Sequence, residues 1–181
     1  MALLVTRHDF AKNNRIISTS TFNQNALNQH ISDAQFIDVQ KLLGLDFYNE
    51  IVRNPTSTAN ATLLDGGDYT YNGITYTNVG LRSVIVFYAY GRYVMFGSQT
   101  DTPFGFVQKQ GQNSTEVDFS QKKTVSKMNQ QTAFVYWENV RLFLDRSVNN
   151  YPLWDDNCIQ THSKFRISKI SRNKYTRNHE H

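Results

Sequence analysis

A central segment, Leu81 to Phe96, reads LRSVIVFYAYGRYVMF and is apolar or aromatic at nearly every position. Arg82 and Arg92 are its only charged residues. Its sixteen residues are too few and too charged for a membrane span, which needs about 20 apolar residues. A buried helix accounts for both the length and the composition. We therefore predict a mainly α protein organised around this segment.

The composition supports one globular domain with a substantial core. Of the 181 residues, 39% are hydrophobic and 13% aromatic, with 3 Pro and 9 Gly, which argues against a disordered or collagen-like chain. Cys158 is the single cysteine, so no intramolecular disulfide is expected, and no Cys/His spacing resembles a zinc site. After Met1 the first apolar run, Ala2 to Val5, has only four residues, too few for a signal peptide. We expect a protein that is made and used without export.

Positive charge is concentrated at the C-terminus. Residues 1–158 carry 13 Lys/Arg and 14 Asp/Glu, whereas residues 159–181 carry 6 Lys/Arg and one Glu, a net charge of +5. Such a tail has three open interpretations: contact with nucleic acid, contact with an acidic protein surface, or simple solvation.

The N-terminal part predicts an arm followed by two helices. Residues 1–23 show no periodicity and suggest an irregular, extended arm. A helix from about Asn25 to Leu43 follows, with Gly44 as its stop, and a second helix over residues 46–53 with Asp46 as its cap. The first helix is expected to bury one stripe of apolar residues, namely Leu27, Ile31, Ala34, Phe36, Ile37, Val39, Leu42 and Leu43.

Two segments beside the central helix read as a hairpin and a loop. Asn72-Gly73 lies between two short runs of tyrosine and β-branched residues, which predicts a hairpin insertion over residues 64–76. Residues 98–118 read as a long loop, in which Gly105 to Lys109 form a candidate strand. Loops of this length in compact domains usually have a function.

A long helix is predicted next, because residues 119–148 contain no Gly or Pro. Either Ser120 or Asp118 is its expected cap. One stripe of residues runs along it, beside a second group: the stripe is Val125, Met128, Thr132, Val135, Asn139 and Leu142, and the group beside it is Phe134, Trp137, Val140 and Leu144. The segment Tyr151 to Trp154 then ends the helix and is expected to fold back onto the body.

The C-terminal tail, residues 157–181, contains one predicted strand over residues 164–172. It has no partner strand nearby in the sequence, so we expect it to join the edge of a sheet on another chain. The domain organisation predicted from the residues is thus an arm (1–23), a helical domain (24–156) and a basic tail (157–181).

The sequence offers no catalytic or metal-binding constellation, and we expect no enzyme activity and no cofactor. The five histidines have no carboxylate or thiol at ligand spacing on a predicted rigid element. Asp65 and Asp68 flank a turn without the ligand pattern of a calcium loop. Asp155 and Asp156 are adjacent, so they would point to opposite faces of an extended segment. Nucleotide-binding and hydrolase motifs are also absent from the sequence.

An ordered set of short motifs resembles the head–tail connector (adaptor) proteins of tailed bacteriophages, in particular the ring proteins of crAss-like and related Bacteroidetes phages. The motifs extend over roughly residues 24–156, and their order and spacing carry the resemblance. They are His30-Ile31-Ser32-Asp33-Ala34-Gln35, Leu42-Leu43-Gly44, Phe47-Tyr48, Gly80-Leu81, Tyr88-Ala89-Tyr90-Gly91-Arg92-Tyr93, Thr102-Pro103-Phe104-Gly105 and Tyr151-Pro152-Leu153-Trp154.

The resemblance implies a structural protein of the virion neck, assembled in the host cytoplasm, with no membrane contact. Such adaptors form a ring, usually of twelve copies, beneath the portal and above further neck or tail proteins, around the channel through which DNA passes without sequence recognition. By analogy, the 98–118 loop would face the channel or a neighbour through Phe104, Phe106, Lys109 and Gln112. The 164–172 strand would dock on the portal through Lys164, Phe165, Arg166, Ile167, Lys169, Ile170 and Arg172.

Two other functional hypotheses stay open at this point. The first is a small nucleic-acid-binding protein that uses the basic tail with Phe165 and Tyr175, although the near-neutral body argues against it. The second is an enzyme whose catalytic residues are dispersed along the chain.

Overall fold

The computed structural model describes residues 2–15, 17, 21–96, 99–102, 105–108 and 118–154, and most of them are helical, which confirms the predicted mainly α fold class. The helices of this part are α1 (Arg7–Lys12), α2 (Thr21–Asp33), a π-helical segment (Ala34–Val39), α3 (Gln40–Leu43), α4 (Leu45–Arg53), α5 (Thr58–Asp65), α6 (Leu81–Phe96), α7 (Phe119–Arg146) and a short 3-10 turn (Val148–Asn150). Its strands form two antiparallel hairpins, β1 (Gly67–Tyr71) with β2 (Ile74–Asn78) and β3 (Gln99–Thr102) with β4 (Gly105–Gln108).

Helix α6 is the centre of the fold and has the bounds that its sequence predicts. It packs against α7 and also against α2 and the π-helical segment. Burial of an aliphatic side chain stabilises a fold by about 1.5–3 kcal/mol, so this helix contributes a large part of the core. Its buried residues are Leu81, Val84, Ile85, Val86, Phe87, Ala89 and Gly91.

The predicted helix over residues 25–43 is confirmed in extent by α2, the π-helical segment and α3, but its predicted buried stripe is wrong at two positions. Phe36 and Ile37 are 59% and 52% exposed. A π-helical turn holds more residues than an α-helical turn, so the buried positions step from Ala34 to Val39. Phe36 and Ile37 therefore lie on the outer side of the helix.

The prediction of an irregular arm over residues 1–23 is wrong. Helix α1 lies within it, and α2 already begins at Thr21. Leu4, Val5, Phe10 and Ile17 belong to the main hydrophobic core. The arm is therefore part of the body of the protein.

Gln35, a buried residue of the π-helical segment, explains how the N-terminal residues are held. Its Oε1 accepts a hydrogen bond from Leu4 N at 2.7 Å, and its Nε2 donates to Ala2 O at 3.2 Å. Arg82 Nε donates to Leu4 O at 2.9 Å. Contacts between residues this far apart leave no periodic pattern in the sequence, which is why the arm was not predicted to pack.

Helix α4 confirms the second predicted helix in extent, and it buries Phe47, Tyr48 and Ile51. Its predicted cap is wrong, because Gly44 occupies the cap position and Asp46 lies in the first turn. Helix α5, which follows, has no counterpart among the predicted elements.

The predicted hairpin is confirmed, with strands over residues 67–71 and 74–78 rather than within 64–76. Asn72 and Gly73 both have positive φ, 51° and 78°, as a tight hairpin turn requires. Tyr71 pairs with Ile74 across the turn. We call this element the tyrosine hairpin.

Helix α7 is confirmed almost to its predicted end, and Asp118 is its cap: its carboxylate accepts a hydrogen bond from Ser120 N. The hydrogen bond that the Ser120 hydroxyl donates, and next the bond from Ser120 N, lower the pKa of Asp118. The residues of the predicted stripe and of the group beside it divide between the two sides of α7. The buried face consists of Lys122, Ser126, Asn129, Ala133, Trp137, Val140, Phe143 and Leu144, whereas the apolar residues Val125, Met128, Phe134, Val135 and Leu142 are exposed.

Close packing of α6 and α7 explains this choice of face. A Cβ on Gly91 of α6 would lie 3.2 Å from Ser126 O. Small side chains at such a point allow two helices to approach closely, and a bulky stripe would hold them apart.

The segment after α7 folds back onto the body, as predicted. Tyr151 and Trp154 are buried and pack against Phe47 with ring centroids 5.9 and 6.2 Å away. Trp154 Nε1 donates a hydrogen bond to Asp145 at 2.9 Å. None of the helices described has the length and apolarity needed to cross a membrane.

Gly80 provides a test of the junction between the tyrosine hairpin and α6. A Cβ at Gly80 (φ +81°) would lie 2.7 Å from Leu64 O, whereas Gly73 (φ +78°) has open space around it. Alanine in the left-handed region costs about 1–2 kcal/mol at either position, and overlap adds about 1 kcal/mol or more at Gly80. Urea denaturation should therefore show a larger loss of stability for Gly80→Ala than for the matched control Gly73→Ala. Equal losses would contradict the close approach.

Candidate interaction surfaces

Most of the residues predicted to form interfaces lie outside the described part of the chain. Phe106 lies within strand β4, and its backbone pairs with Asp101 of β3; the predicted strand in the 98–118 loop is thus confirmed over Gly105–Gln108. The predicted interface residues outside the described part are Phe104, Lys109, Gln112, Lys164, Phe165, Arg166, Ile167, Lys169, Ile170 and Arg172.

An exposed apolar stripe runs along the outer side of α7. We call it the α7 stripe. Its residues follow one another at intervals of three and four, and Asn139 occupies the position of this repeat between Val135 and Leu142. Met128 and Val135 are the most exposed, at 60% and 64%. An apolar repeat of this spacing on an exposed helix is the pattern of a seam for another helix. The stripe consists of the exposed apolar residues Val125, Met128, Val135 and Leu142 and the half-buried Thr132.

A second exposed apolar surface lies on the π-helical segment, and Phe36 and Ile37 form it. We call this pair the π-segment patch. Because α6 packs against both the π-helical segment and α7, the patch and the α7 stripe belong to different layers of the fold. The buried side chain of Gln35 accepts a hydrogen bond from Leu4 N and so ties the π-helical segment to the N-terminal residues.

Arg15 and Asn129 hold the N-terminal half of α7 against the body. Arg15 Nε donates to Asn129 Oδ1 at 3.0 Å, and its guanidinium lies over the rings of Phe87 and Tyr90. Asn129 Nδ2 also donates to Val125 O at 2.7 Å. A groove of about 300 Å³ beside these contacts is lined partly by the α7 stripe.

The other side of the same half of α7 carries positive charge. Lys123 and Lys127 line an open groove of about 480 Å³ together with Met95, Phe96 and Arg92. Arg92 is not free for a ligand, since its Nη2 forms an ion pair with Asp38 at 2.8 Å. The groove thus offers two exposed ammonium groups beside an aromatic ring.

His30 packs beneath this groove and is biased toward the neutral form. Its ring stacks on Phe96 with centroids 6.4 Å apart and lies edge-on to Tyr93. Burial lowers its pKa, although nearby Asp33 opposes the shift. It therefore adds little positive charge to the groove near neutral pH.

Three tyrosines surround Arg146 and attach the tyrosine hairpin to α7. The Arg146 guanidinium lies 4.0 Å from the ring centroid of Tyr76 and 5.2 Å from that of Tyr71. Its Nη1 donates to Tyr69 Oη at 3.0 Å, and this hydrogen bond raises the pKa of Arg146. Asn139 adds a second attachment, since it accepts from Val79 N at 2.9 Å.

A groove of about 490 Å³ lies between this hairpin and the end of α7, with Tyr69, Phe143 and Tyr151 in its wall. Tyr151 Oη donates to Ala59 O at 2.8 Å. Burial raises the pKa of Tyr151 to about 12, so this hydroxyl stays protonated at physiological pH. It is committed to a structural hydrogen bond.

The turn flanked by Asp65 and Asp68, which was compared with a calcium loop, makes structural contacts. Asp65 forms an ion pair with Arg82, and Asp68 accepts a hydrogen bond from Thr77 Oγ1 at 2.7 Å. Within the residues described, no group of three or more His, Cys, Asp or Glu side chains is placed to hold a metal ion. Cys158, Asp155 and Asp156 lie outside those residues.

Arg146→Met tests the attachment of the tyrosine hairpin. Loss of the cation–π contacts, each about 0.5–1 kcal/mol at an exposed site, should increase amide hydrogen exchange in β1 and β2 severalfold and leave exchange in α6 unchanged. Arg53→Met, at an exposed position on α4, is the matched control. Unchanged exchange in the hairpin would mean that its other contacts, such as the bonds of Asn139 and the ring contact of Tyr69 with Phe143, hold it without Arg146.

Comparison with known proteins yields one match. A model described as a family of unknown function (DUF6712) matches residues 39–164. The matched region begins at the end of the π-helical segment and includes the tyrosine hairpin, α6 and α7. No curated protein matches the chain, and no solved structure does.

Proposed function

Since the chain belongs to the family of unknown function DUF6712, we propose its role from its own residues: it is a phage virion structural protein of the head–tail connector class. In this proposal it forms a ring, of about twelve copies by resemblance to such connectors, under the portal at the neck of the virion. The ring joins the portal to further neck or tail proteins and surrounds the DNA channel. It has a mechanical role without catalysis.

The observation that carries this proposal is the pair of exposed apolar surfaces on different layers of a helical body. A ring requires each copy to contact its neighbours through two different surfaces. The α7 stripe and the π-segment patch supply two such surfaces on one chain. Contacts of modest size are sufficient in a ring, because two neighbours clamp each subunit.

The places of the resembling motifs in the fold give further support. Gly44 separates α3 from α4, and Leu81 begins α6. The Tyr151–Trp154 motif packs against Phe47 of α4. These motifs therefore lie where helices begin, end or pack against one another. A resemblance carried by the order and spacing of motifs is expected at such positions.

The C-terminal tail is the proposed portal-docking element. The described part of the chain ends at Trp154, and residues 159–181 carry a net charge of +5. A strand over residues 164–172 would add to a sheet edge of the portal by main-chain hydrogen bonds, with Phe165, Ile167 and Ile170 for specificity.

Co-elution of the full chain with the portal protein of the same genome tests the role, with light scattering and imaging of the complex. A ring seated on the portal is expected. The variant lacking residues 159–181 should keep the melting temperature of the full chain, because Trp154 and the core before it are intact. It should no longer co-elute with the portal, because it lacks the proposed docking strand. A truncated chain that still co-elutes would overturn tail docking, and a full chain that ignores the portal would overturn the connector role.

A second candidate function, binding of nucleic acid, is favoured by the same tail and by Lys123 and Lys127 on α7. It predicts that the isolated chain binds random-sequence duplex DNA, with a log–log salt slope of about −5 if all six basic residues of the tail meet phosphates. Fluorescence anisotropy between 50 and 200 mM salt, roughly the range over which phosphate contacts respond, gives the slope. Truncation after residue 158 should abolish most of this salt slope. Binding that is insensitive to salt would exclude this function.

A further inference from the structure

We propose that residues 164–168 of the C-terminal tail add as a third strand to the open edge of β1, in the tyrosine hairpin of the same chain. The site consists of main-chain groups on β1 and of the groove beside them. This contact goes beyond the connector role and belongs to the chain before it meets the portal, because one strand cannot pair with β1 and with a portal sheet at the same time.

The main-chain groups of Asp68 and Thr70 point away from β2. Directly opposite residues of an antiparallel pair alternate between pairs that exchange hydrogen bonds and pairs that do not. The two-residue turn makes Tyr71 and Ile74 a hydrogen-bonded pair, so the bonded pairs continue at every second residue and leave out Asp68 and Thr70. The N–H and C=O groups of these two residues therefore form the outer edge of β1.

The outer edge of β2 has a partner, whereas that of β1 has none among the described residues. On β2, Asn139 of α7 donates its Nδ2 to Thr77 O at 3.0 Å and accepts from Val79 N at 2.9 Å. On β1, no residue in the described part of the chain bonds to the main-chain groups of Asp68 or Thr70. An unpaired strand edge is a template for another strand, and a two-stranded hairpin gains stability from a third.

A groove beside this edge has room for the side chains of an added strand. It holds about 490 Å³, and Thr70 lines it together with the rings of Tyr69 and Phe143. Tyr69 lies on the inner face of the hairpin, with its ring centroid 5.0 Å from that of Phe143. Asp68 lies on the opposite face, where it accepts a hydrogen bond from Thr77 Oγ1. A strand seated here thus meets an aromatic surface on one face and a polar, acidic surface on the other.

The tail sequence over residues 164–168, Lys-Phe-Arg-Ile-Ser, alternates as such a site requires. In an extended strand, Phe165 and Ile167 lie on one face and Arg166 on the other. Pairing on β1 directs the two apolar side chains toward the aromatic groove and brings Arg166 to the face of Asp68. In strand addition the main-chain hydrogen bonds supply affinity, and the alternate side chains supply specificity.

Charge favours the same occupant. Asp68 is exposed and forms no ion pair with the described residues. Two arginines of this region already have partners, since Arg146 contacts the tyrosine rings of the hairpin and Arg82 pairs with Asp65. Residues 159–181 carry a net charge of +5. A basic strand therefore supplies the cation that the Asp68 carboxylate lacks.

The tail also starts beside the groove. Tyr151 lines the groove, and Trp154, the last described residue, donates its backbone N–H to Tyr151 O at 2.9 Å. Residues 155–163 separate Trp154 from the strand, and a fully extended linker of this length spans up to about 30 Å. Because so short a linker keeps the strand at high effective concentration near its own β1, the occupant is the tail of the same chain.

Amide hydrogen exchange resolved by NMR tests the contact, on the full chain and on the variant lacking residues 159–181. The amides of Asp68 and Thr70 should exchange more slowly in the full chain, by about tenfold or more, because the third strand accepts their hydrogen bonds. The amides of Tyr69 and Tyr71 bond to β2 and should be slow in both chains. The added strand holds only the hairpin, so the melting temperature of the core should be the same.

A double substitution in the tail, Phe165→Ser with Ile167→Ser, tests the assignment of the strand. It should expose the amides of Asp68 and Thr70 as truncation does, because it removes the apolar side chains that enter the groove. Tyr175→Ser changes an aromatic residue of the same tail outside the strand, and this matched control should keep both amides protected. All three substitutions lie outside the core, and unchanged exchange in α6 would establish that the body is folded.

Three outcomes would overturn the inference. The first is equal exchange of the two β1 amides in the full and the shortened chain. The second is protection that truncation removes and the double substitution keeps, because another part of the tail would then occupy the edge. The third is protection that is lost on dilution, together with a mass above 21.0 kDa by sedimentation velocity, because the strand would then come from a second copy. None of the three decides the connector role, which depends on co-elution with the portal.

Discussion

The close contact between α6 and α7 is the constraint on which the rest of the structure depends. Gly91 leaves room for Ser126, and a side chain at that glycine would meet the α7 backbone at 3.2 Å. Trp137, Val140 and Leu144 then continue the buried face toward the C-terminal end of α7. Because this face of α7 is committed to α6, the apolar residues Val125, Met128 and Val135 lie on the exposed side of the helix.

The π-helical segment has an equivalent effect on the other layer. Its wider turn keeps Val39 in the core and places Phe36 and Ile37 outside. Gln35 meets the backbone of Leu4, so the same segment also anchors the N-terminal residues. A π-helical turn departs from regular α-helical geometry and often lies at a functional site. This agrees with the proposed part of the π-helical segment in an interface. The chain thus combines a rigid body with two outward apolar surfaces, a combination suited to assembly.

Local patterns predicted the elements whose determinants are close together in the sequence. The apolar run over residues 81–96 and the Asn72-Gly73 turn each specify their own structure, and both predictions are confirmed. The α7 residues at heptad spacing form a stripe that the sequence shows, but periodicity identifies a face without saying what covers it. In the structure Val125, Met128, Val135 and Leu142 of this stripe are exposed. The bonds of Gln35 to Leu4 and of Arg15 to Asn129 join distant residues and had no local signal.

The sequence by itself therefore determined the helical class, the extents of α6 and α7, and the tyrosine hairpin, since propensity, turn chemistry and the absence of helix breakers act locally. Only the tertiary structure decided which face of α7 is buried, because that choice depends on how closely Gly91 and Ser126 can approach. It likewise decided that Phe36 and Ile37 are exposed, because a π-helical turn is stable only where surrounding contacts, such as those of Gln35, hold it in place.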